Sequence, residues 1–183
     1  MAREGRAWLV RIDDMESAAT SGATTPSSQT PTEASPATVI VYSHRPAFLQ
    51  RVEIALGAHP APGVSLNFEE FASHADLQRR LDFSNEFGEV ALCILDGEAS
   101  PTGGLGISRQ FKNERDDCPA MLVIVARKDD TFLAGWSQAD AVLHQPIDPA
   151  ALADAVVHLI NHRVAFPPPP RNRTFLQKIG LSR

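Results

Sequence analysis

The sequence is poor in cysteine, in long apolar runs and in positive charge. It holds 2 cysteines, so neither a disulfide framework nor a paired-cysteine metal site is supported, and a reducing compartment fits best. No stretch approaches the roughly 20 apolar residues that span a bilayer. The opening MAREGRAWLVRIDD has acidic residues where a secretion signal needs an apolar segment. These absences lead us to expect a cytoplasmic protein.

Charge balance and length narrow the possible class of protein further. A net charge of -5 argues against nucleic-acid binding through a broad basic surface. Of the 183 residues, 43% are hydrophobic and 21% are charged, which suits one globular domain with a packed core and appended segments. A core of that size needs neither disulfides nor metals for its stability.

Both ends of the sequence differ in composition from the middle. Residues 17–37 are almost all Ser, Thr, Ala, Pro and Gly, which leaves nothing to bury. We predict an extended low-complexity tail over residues 1–37, with the apolar patch GRAWLVRI near its start. A second tail, basic and led by four prolines, is predicted over residues 164–183. The tail residues that we expect to contact a partner are Trp8, Leu9, Phe175 and Leu176.

Between the tails, five short apolar runs alternate with five helical patterns. The runs are TVIVYS, VSLNFEEF, VALCIL, MLVIVA and DAVLH. Pro46 opens a helix, Gly57 ends it, and Asp148 followed by Pro149 caps the last helix. This alternation predicts an α/β fold over residues 38–163. We expect a five-stranded parallel sheet of flavodoxin-like order 2-1-3-4-5, with helices on both faces.

In such a sheet the working crevice lies beyond the carboxyl ends of the strands, where strands 1 and 3 meet. That rule places Ser43, His44 and Asp96 side by side. Here the core resembles the receiver domain of two-component response regulators, a CheY-like fold. The resemblance aligns VIVYSHRP with the strand that carries an acid pair, and LCILDGEASPTGG with the phosphoacceptor strand and its loop. It aligns HQPID with a Lys-Pro position.

The resemblance implies that Asp96 is the phosphoacceptor and that its supporting groups have changed. The positions that correspond to receiver functional residues hold Ser43, His44, Val125, Val142, Gln145 and Pro146. Mg²⁺ prefers hard oxygen ligands, which an imidazole does not offer and a hydroxyl offers poorly. The family's lysine makes a charged contact to the phosphoryl group, worth about 1.5 to 3 kcal/mol, which a neutral amide cannot replace. We therefore expect a pseudo-receiver with a vestigial phosphoacceptor and with no metal or cofactor.

A narrower resemblance is carried by several short segments of the sequence. VYS, LDGEA, GG with RQFK, and WSQADAV joined to HQPIDPAALADAV are similar to the orphan, atypical response regulators of actinobacteria. Those proteins are associated with the respiratory NADH:quinone oxidoreductase, complex I. This resemblance implies a non-catalytic accessory or regulatory subunit that docks on the cytoplasmic side of complex I. The protein would then associate peripherally with the inner face of the plasma membrane through that partner.

The main alternative is a cytosolic receiver that is still phosphorylated on Asp96. We favour instead a strand-end carboxylate that is bonded to the backbone of its own loop. No nucleophile, base and orienting residue can be assembled from the spacing, so we do not expect an enzyme. Mg²⁺ and a phosphodonor separate the two hypotheses, since only the second needs either.

Weaker candidates have simpler structural interpretations. His44, His144 and Asp96 could form a metal site, although His44 is as well suited to capping the first helix. His158 and His162, four apart, are expected on a solvated helix face. The glycines of GEASPTGGLG are expected to permit a tight loop rather than to bind a nucleotide. For Trp136 we favour packing under the edge of strand 5 over contact with a partner.

Overall fold

The computed structural model describes residues 35–83, 89–127 and 131–165. Within them, five strands alternate with five helices. The strands are β1 (Ala37–Tyr42), β2 (Leu66–Phe71), β3 (Val90–Asp96), β4 (Ala120–Val125) and β5 (Ala141–His144). The helices are α1 (Pro46–Leu56), α2 (His74–Asp82), α3 (Gly104–Glu114), α4 (Thr131–Ser137) and α5 (Pro149–Ala165).

The five strands form one parallel sheet of order β2-β1-β3-β4-β5. The predicted flavodoxin-like α/β fold is therefore confirmed. In the register, Tyr42 of β1 lies beside Leu95 of β3, and Asp96 lies beside Ile124 of β4. The chain that follows β1 consequently emerges next to the carboxyl end of β3.

Side chains alternate between the two faces of the sheet and build a hydrophobic cluster on each. On one face, Val39, Val41 and Ile94 pack with buried residues of α1 and α5, among them Phe48 and Val156. The opposite face packs against α2 and α3. Its buried members are Ile40, Tyr42, Cys93 and Leu95 from the sheet with Leu77, Leu81, Ile107 and Phe111 from the helices. This two-sided burial explains why the central strands are continuously apolar.

Local sequence signals fix several helix ends. Pro46 is the first residue of α1, and Gly57 ends that helix with a φ of 59°, a left-handed conformation that glycine tolerates. Asp148 caps α5, because its Oδ1 accepts a hydrogen bond of 3.0 Å from the backbone N–H of Ala150. The second strand begins at Leu66, later than the run VSLNFEEF suggests.

Trp136 does not pack beneath β5 as the sequence led us to expect. Its side chain is 49% exposed at the C-terminal end of α4. One ring face lies against Arg109 of α3, whose guanidinium carbon is 4.6 Å from the ring centroid. The expectation was wrong because α4 has only 7 residues, and its last turn faces α3 and solvent.

The predicted tails, including Trp8, Leu9, Phe175 and Leu176, lie outside the described residues. Their role as partner contacts remains a prediction. Within the described ranges, no helix is both long enough and apolar enough to cross a membrane.

Candidate functional site

Asp96 is the last residue of β3, and its side chain is fully buried. Ser43 directly follows β1, the neighbouring strand, and is equally buried. Its hydroxyl donates a 2.6 Å hydrogen bond to Oδ2 of Asp96. The sheet thus brings Ser43 and Asp96 into contact, which are two of the three residues that the sequence predicts side by side at this edge.

A third residue, Arg45, completes the site. Its Nη2 lies 2.7 Å from Oδ1 and 2.8 Å from Oδ2 of Asp96, and its Nε lies 3.0 Å from Oδ2. The guanidinium therefore covers both carboxylate oxygens, the geometry that gives charge-assisted hydrogen bonds their greatest strength. The Arg45 side chain is 36% exposed, whereas the Asp96 side chain has no exposed surface.

Local structure holds Arg45 in place. It is the N-cap residue of α1, and its backbone N–H donates to Oγ of Ser43 at 3.0 Å. Its guanidinium carbon lies 5.8 Å from the centroid of the Phe48 ring. Ser43 thus accepts from the Arg45 backbone while it donates to the carboxylate that the Arg45 side chain binds.

The loop after β3 supplies one further donor to Asp96. The backbone N–H of Glu98 donates to Oδ1 at 3.0 Å. This is the bond from its own loop that we expected for a strand-end carboxylate. With it, Oδ1 accepts two hydrogen bonds, one from Arg45 and one from Glu98. Oδ2 accepts three, one from Ser43 and two from Arg45. A carboxylate offers about four lone-pair sites, so Asp96 is saturated.

Glycines let this loop turn tightly, as expected. A Cβ on Gly104 would lie 2.7 Å from the backbone oxygen of Asp96, and a Cβ on Gly103 would lie 2.9 Å from that of Gly97. Both distances are too short for any side chain. The close approach of α3 to the end of β3 therefore requires these two glycines.

His44 contacts the loop rather than the carboxylate. Its side chain is exposed, and Nδ1 accepts a 2.9 Å hydrogen bond from the backbone N–H of Ser100. The imidazole does not cap α1, because Arg45 occupies the N-cap position and that helix has no side-chain cap hydrogen bond. Since Nδ1 accepts, this hydrogen bond assigns the ring proton to Nε2.

Of the remaining receiver positions, Val125 and Gln145 lie at the same edge of the sheet, and Val142 lies two residues before the end of β5. Val125 is fully buried, and its Cγ1 would be 3.0 Å from a Cβ added at Gly97. Val142 packs at the margin of the cluster with Leu95. Gln145 donates its backbone N–H to the Val125 oxygen at 2.9 Å, and Pro146 follows it. The buried Nε2 of Gln145 has no hydrogen-bond partner in the described part of the chain.

Tyr42 lies just inside the site. Its hydroxyl donates to the backbone oxygen of Thr102 at 3.0 Å. Burial, followed by the negative charge of Asp96, raises the pKa of Tyr42 above its ordinary value of 10.0. The phenol therefore stays protonated and ties the end of β1 to the loop before α3.

The donor set does not suit the Mg²⁺ that receiver domains use. Mg²⁺ favours carboxylate oxygens in octahedral geometry. Here the acid-pair positions offer a hydroxyl that is already bonded to Asp96 and an imidazole that is bonded to Ser100. The guanidinium of Arg45 already covers Asp96.

The histidine candidates gain no geometric support. Among the residues with described positions, no group of three or more His, Cys, Asp or Glu side chains is arranged to hold a metal ion. The cluster of His44, His144 and Asp96 is therefore not supported. The rings of His158 and His162 do share a face of α5, with centroids 6.4 Å apart.

Sequence reasoning missed Arg45. The available signal was the order Ser-His-Arg-Pro, which puts an arginine between the end of a strand and the first residue of a helix. That position, beside a carboxylate on the neighbouring strand, is within reach of a long cationic side chain. The periodicity of apolar residues carries no such information.

Comparisons with known proteins relate the chain to response regulators through individual relatives, not through a family profile. No family profile matches the chain. It is 42% identical over 123 residues to an uncharacterized response regulatory protein of Mycobacterium tuberculosis, found in two strains. The match covers 67% of this chain and 90% of that relative.

Solved structures of low identity show the same fold. A response regulator receiver domain protein from Clostridium thermocellum aligns with a TM-score of 0.58 at 19% identity, covering 70% of this chain and 98% of that one. A signal receiver domain from Bermanella marisrubri aligns with a TM-score of 0.56 at 21% identity. That match covers 68% of this chain and 98% of the other.

Proposed function

Because this chain belongs to the receiver-domain family of response regulators, we propose that it is a pseudo-receiver, a member that acts without phosphorylation and by docking on a protein partner. The observation that carries the proposal is the ion pair between Arg45 and Asp96, with Ser43 as its third member. The chain itself supplies a cation at the place where phosphorylation chemistry needs a free carboxylate and a metal.

Phosphorylation needs a carboxylate oxygen with a free lone pair in line with the phosphorus atom. Both oxygens of Asp96 are already bound, and the residue has no exposed surface. Freeing Oδ2 means moving both Arg45 and Ser43 away from a buried charge. Because Arg45 is 36% exposed, breaking this pair should cost roughly 3 kcal/mol, the low end for a buried ion pair. That cost supports a structural role for the carboxylate.

As its partner we propose respiratory complex I, with docking on the cytoplasmic side. The support is the resemblance of LDGEA, WSQADAV and HQPIDPAALADAV to the response regulators that associate with that enzyme. Trp8, Leu9, Phe175 and Leu176 are proposed as anchors in the tails. The protein would be cytoplasmic and would reach the inner face of the plasma membrane through complex I.

We further propose that the chain is not an enzyme. Its candidate nucleophiles are buried or protonated. The Ser43 hydroxyl has no exposed surface, and the Tyr42 phenol has a raised pKa. Burial raises the pKa of Cys93, and it raises the pKa of Cys118 to about 11, so both thiols stay protonated near neutral pH.

A second candidate function is a receiver phosphorylated on Asp96. The observation that favours it is the position of Asp96 at the carboxyl end of β3, followed by a tight glycine loop, in a chain of this family. This function requires the Arg45 side chain to swing out toward solvent before the phosphodonor arrives.

The first experiment separates the two candidates. The full chain is incubated with acetyl phosphate and Mg²⁺, and its intact mass is measured beside a typical receiver domain as a positive control. We expect no phosphoryl adduct on the wild-type chain. An adduct that maps to Asp96 and disappears in the Asp96→Asn variant would establish the second candidate.

The second experiment tests the partner. The full chain is recovered from detergent-solubilised membranes of its native host, and the co-purifying proteins are identified. We expect complex I subunits. We expect fewer of them with Trp8→Ala/Leu9→Ala or Phe175→Ala/Leu176→Ala, and an unchanged amount with Ile54→Ser on the exposed face of α1. Recovery of a soluble histidine kinase instead would contradict the proposed partner.

A further inference from the structure

We propose that Leu133, Trp136 and Arg109 form a docking surface, the α3–α4 corner, for an acidic segment of a protein partner. The segment would place a carboxylate beside an apolar side chain. This inference rests on the proposed function only in that the chain acts by docking on a protein.

The apolar part of the corner belongs to α4. Trp136 is 49% exposed and Leu133 is 43% exposed. Residues three apart on a helix lie on the same face, so the two side chains are neighbours. A tryptophan that is left half in water retains much apolar area for burial against a partner. Tryptophan and arginine are the residues most often found at the energetic centre of protein interfaces.

Arg109 fixes the tryptophan before any partner binds. Its guanidinium lies over the ring at 4.6 Å, and Nη1 donates a 2.6 Å hydrogen bond to the backbone oxygen of Trp136. The same side chain thus orients the indole and satisfies a carbonyl at the C-terminal end of α4. A side chain held in one orientation loses little entropy when it is buried by a partner.

Two further contacts hold the corner together. Lys112 of α3 forms an ion pair with Asp140 at 2.6 Å, and Nε2 of Gln138 donates to Asn113 at 3.1 Å. Both join α3 to the segment between α4 and β5. The surface is therefore a preformed part of the core.

The positive charge of Arg109 indicates which kind of partner segment would bind at the corner. Several cations of the chain have carboxylate partners, including Lys112 with Asp140 and Arg80 with Glu69. Arg109 has none within ion-pairing distance in the described ranges, where its hydrogen bond and its ring contact are both with Trp136. A carboxylate of a partner would supply the missing counter-charge. A basic segment would instead bring two like charges together at an interface.

The test places a photo-cross-linker at the corner of the full chain. Leu133 is replaced by p-benzoyl-phenylalanine in the native host, and the cross-linked partner peptides are identified by mass spectrometry. The same replacement at Ile54, which is 82% exposed on α1, measures background. We expect adducts above background that map to segments carrying Asp or Glu next to an apolar residue.

Substitutions then test the two chemical components. Arg109→Gln removes the counter-charge of the partner's carboxylate, so it should lower the adduct yield about tenfold. Trp136→Ala should have a comparable effect. Arg51→Gln, a cation on α1, should leave the yield unchanged. Thermal unfolding of each variant confirms that the fold is intact, and Arg109→Met, which also removes the charge, is the second variant if Arg109→Gln unfolds.

Four outcomes would overturn the inference. They are adducts at Leu133 no stronger than at Ile54, adducts on basic segments, adducts within this chain or a second copy of it, and a yield that Arg109→Gln does not change. The identity of the cross-linked protein tests the proposed partner separately. Adducts on an acidic segment of a protein outside complex I would contradict that partner and support the corner.

Discussion

Arg45 binds Asp96 across 51 residues of sequence, with one guanidinium nitrogen within 2.8 Å of both carboxylate oxygens. The carboxylate is buried, and the guanidinium reaches it from the turn between β1 and α1. A buried charge needs a partner, and this chain supplies it from its own side chains. The fold itself therefore holds Asp96 in place, through contacts from its own side chains and backbone.

Removing the guanidinium should destabilise the fold. We expect Arg45→Gln to lower the free energy of unfolding by roughly 3 kcal/mol, the low end for breaking a buried pair, because Arg45 is partly exposed. Ser43→Ala should cost about 1.5 to 3 kcal/mol, the value of a hydrogen bond to a charged group. Urea unfolding measures both, with Arg51→Gln as the matched control. An Arg45→Gln variant as stable as wild type would show that the pair is a surface contact.

The architecture was predictable because its signals are local. Apolar runs identified the strands, and Pro46, Gly57 and Asp148 marked helix ends through backbone chemistry that acts within a few residues. The position of Asp96 beside Ser43 followed from the topology rule for parallel sheets.

Arg45 was missed and the environment of Trp136 was predicted wrongly, for different reasons. The pair of Arg45 with Asp96 depends on the reach and rotamer of one long side chain between distant parts of the chain. No pattern of apolar residues encodes that reach. For Trp136, the general tendency of large aromatics to be buried was outweighed by the shortness of α4, which leaves the ring at its end.

Two glycines of α3 should respond oppositely to alanine. A Cβ at Gly104 would lie 2.7 Å from the Asp96 oxygen and 2.8 Å from Cβ of Leu95, so Gly104→Ala should cost about 1 to 3 kcal/mol. A Cβ at Gly106 meets nothing within 4 Å, so Gly106→Ala should stabilise the fold by about 0.5 to 1 kcal/mol through helix propensity. Chemical denaturation of both variants tests this. Equal effects would mean that the tight turn does not depend on glycine.

Because both thiols have raised pKa values, we expect the free energy of unfolding to fall at alkaline pH. Burial raises the pKa of Cys118 from 9.0 to about 11, and the pKa of Cys93 is also raised. Between pH 9 and pH 11 the unfolded chain releases protons that the folded chain keeps, so stability falls as pH rises. Each thiol contributes up to about 1.4 kcal/mol per pH unit. Below pH 9 this contribution is fully present.

The Cys118→Ala variant isolates one thiol of the pair. Urea unfolding between pH 9 and pH 11 should show a shallower fall in stability than in wild type. The difference in slope should be up to about 1.4 kcal/mol per pH unit, the contribution of one proton. An identical slope in the two proteins would mean that Cys118 ionises equally easily in the folded and unfolded chains.

An acidic residue added beside Asp96 should let this edge of the sheet bind Mg²⁺. In Ser43→Asp/Arg45→Ala, a second carboxylate replaces the Ser43 hydroxyl, which lies 2.6 Å from Asp96, and the competing guanidinium is gone. Two adjacent carboxylates repel each other but form a donor set that Mg²⁺ favours. We expect this variant to be unstable alone and to gain stability with Mg²⁺. At about 100 times the Kd the gain would be about 2.7 kcal/mol.

The single variant Arg45→Ala is the control, because it frees the same space without adding a ligand. Thermal unfolding with and without Mg²⁺ should show a gain only for the double variant. If both variants respond equally, Asp96 binds the ion without a second acid, and the guanidinium alone keeps Mg²⁺ out. If neither responds, the carboxyl edge of this sheet has lost more of the metal site than its charges, and the buried Val125 beside Gly97 becomes the next residue to replace.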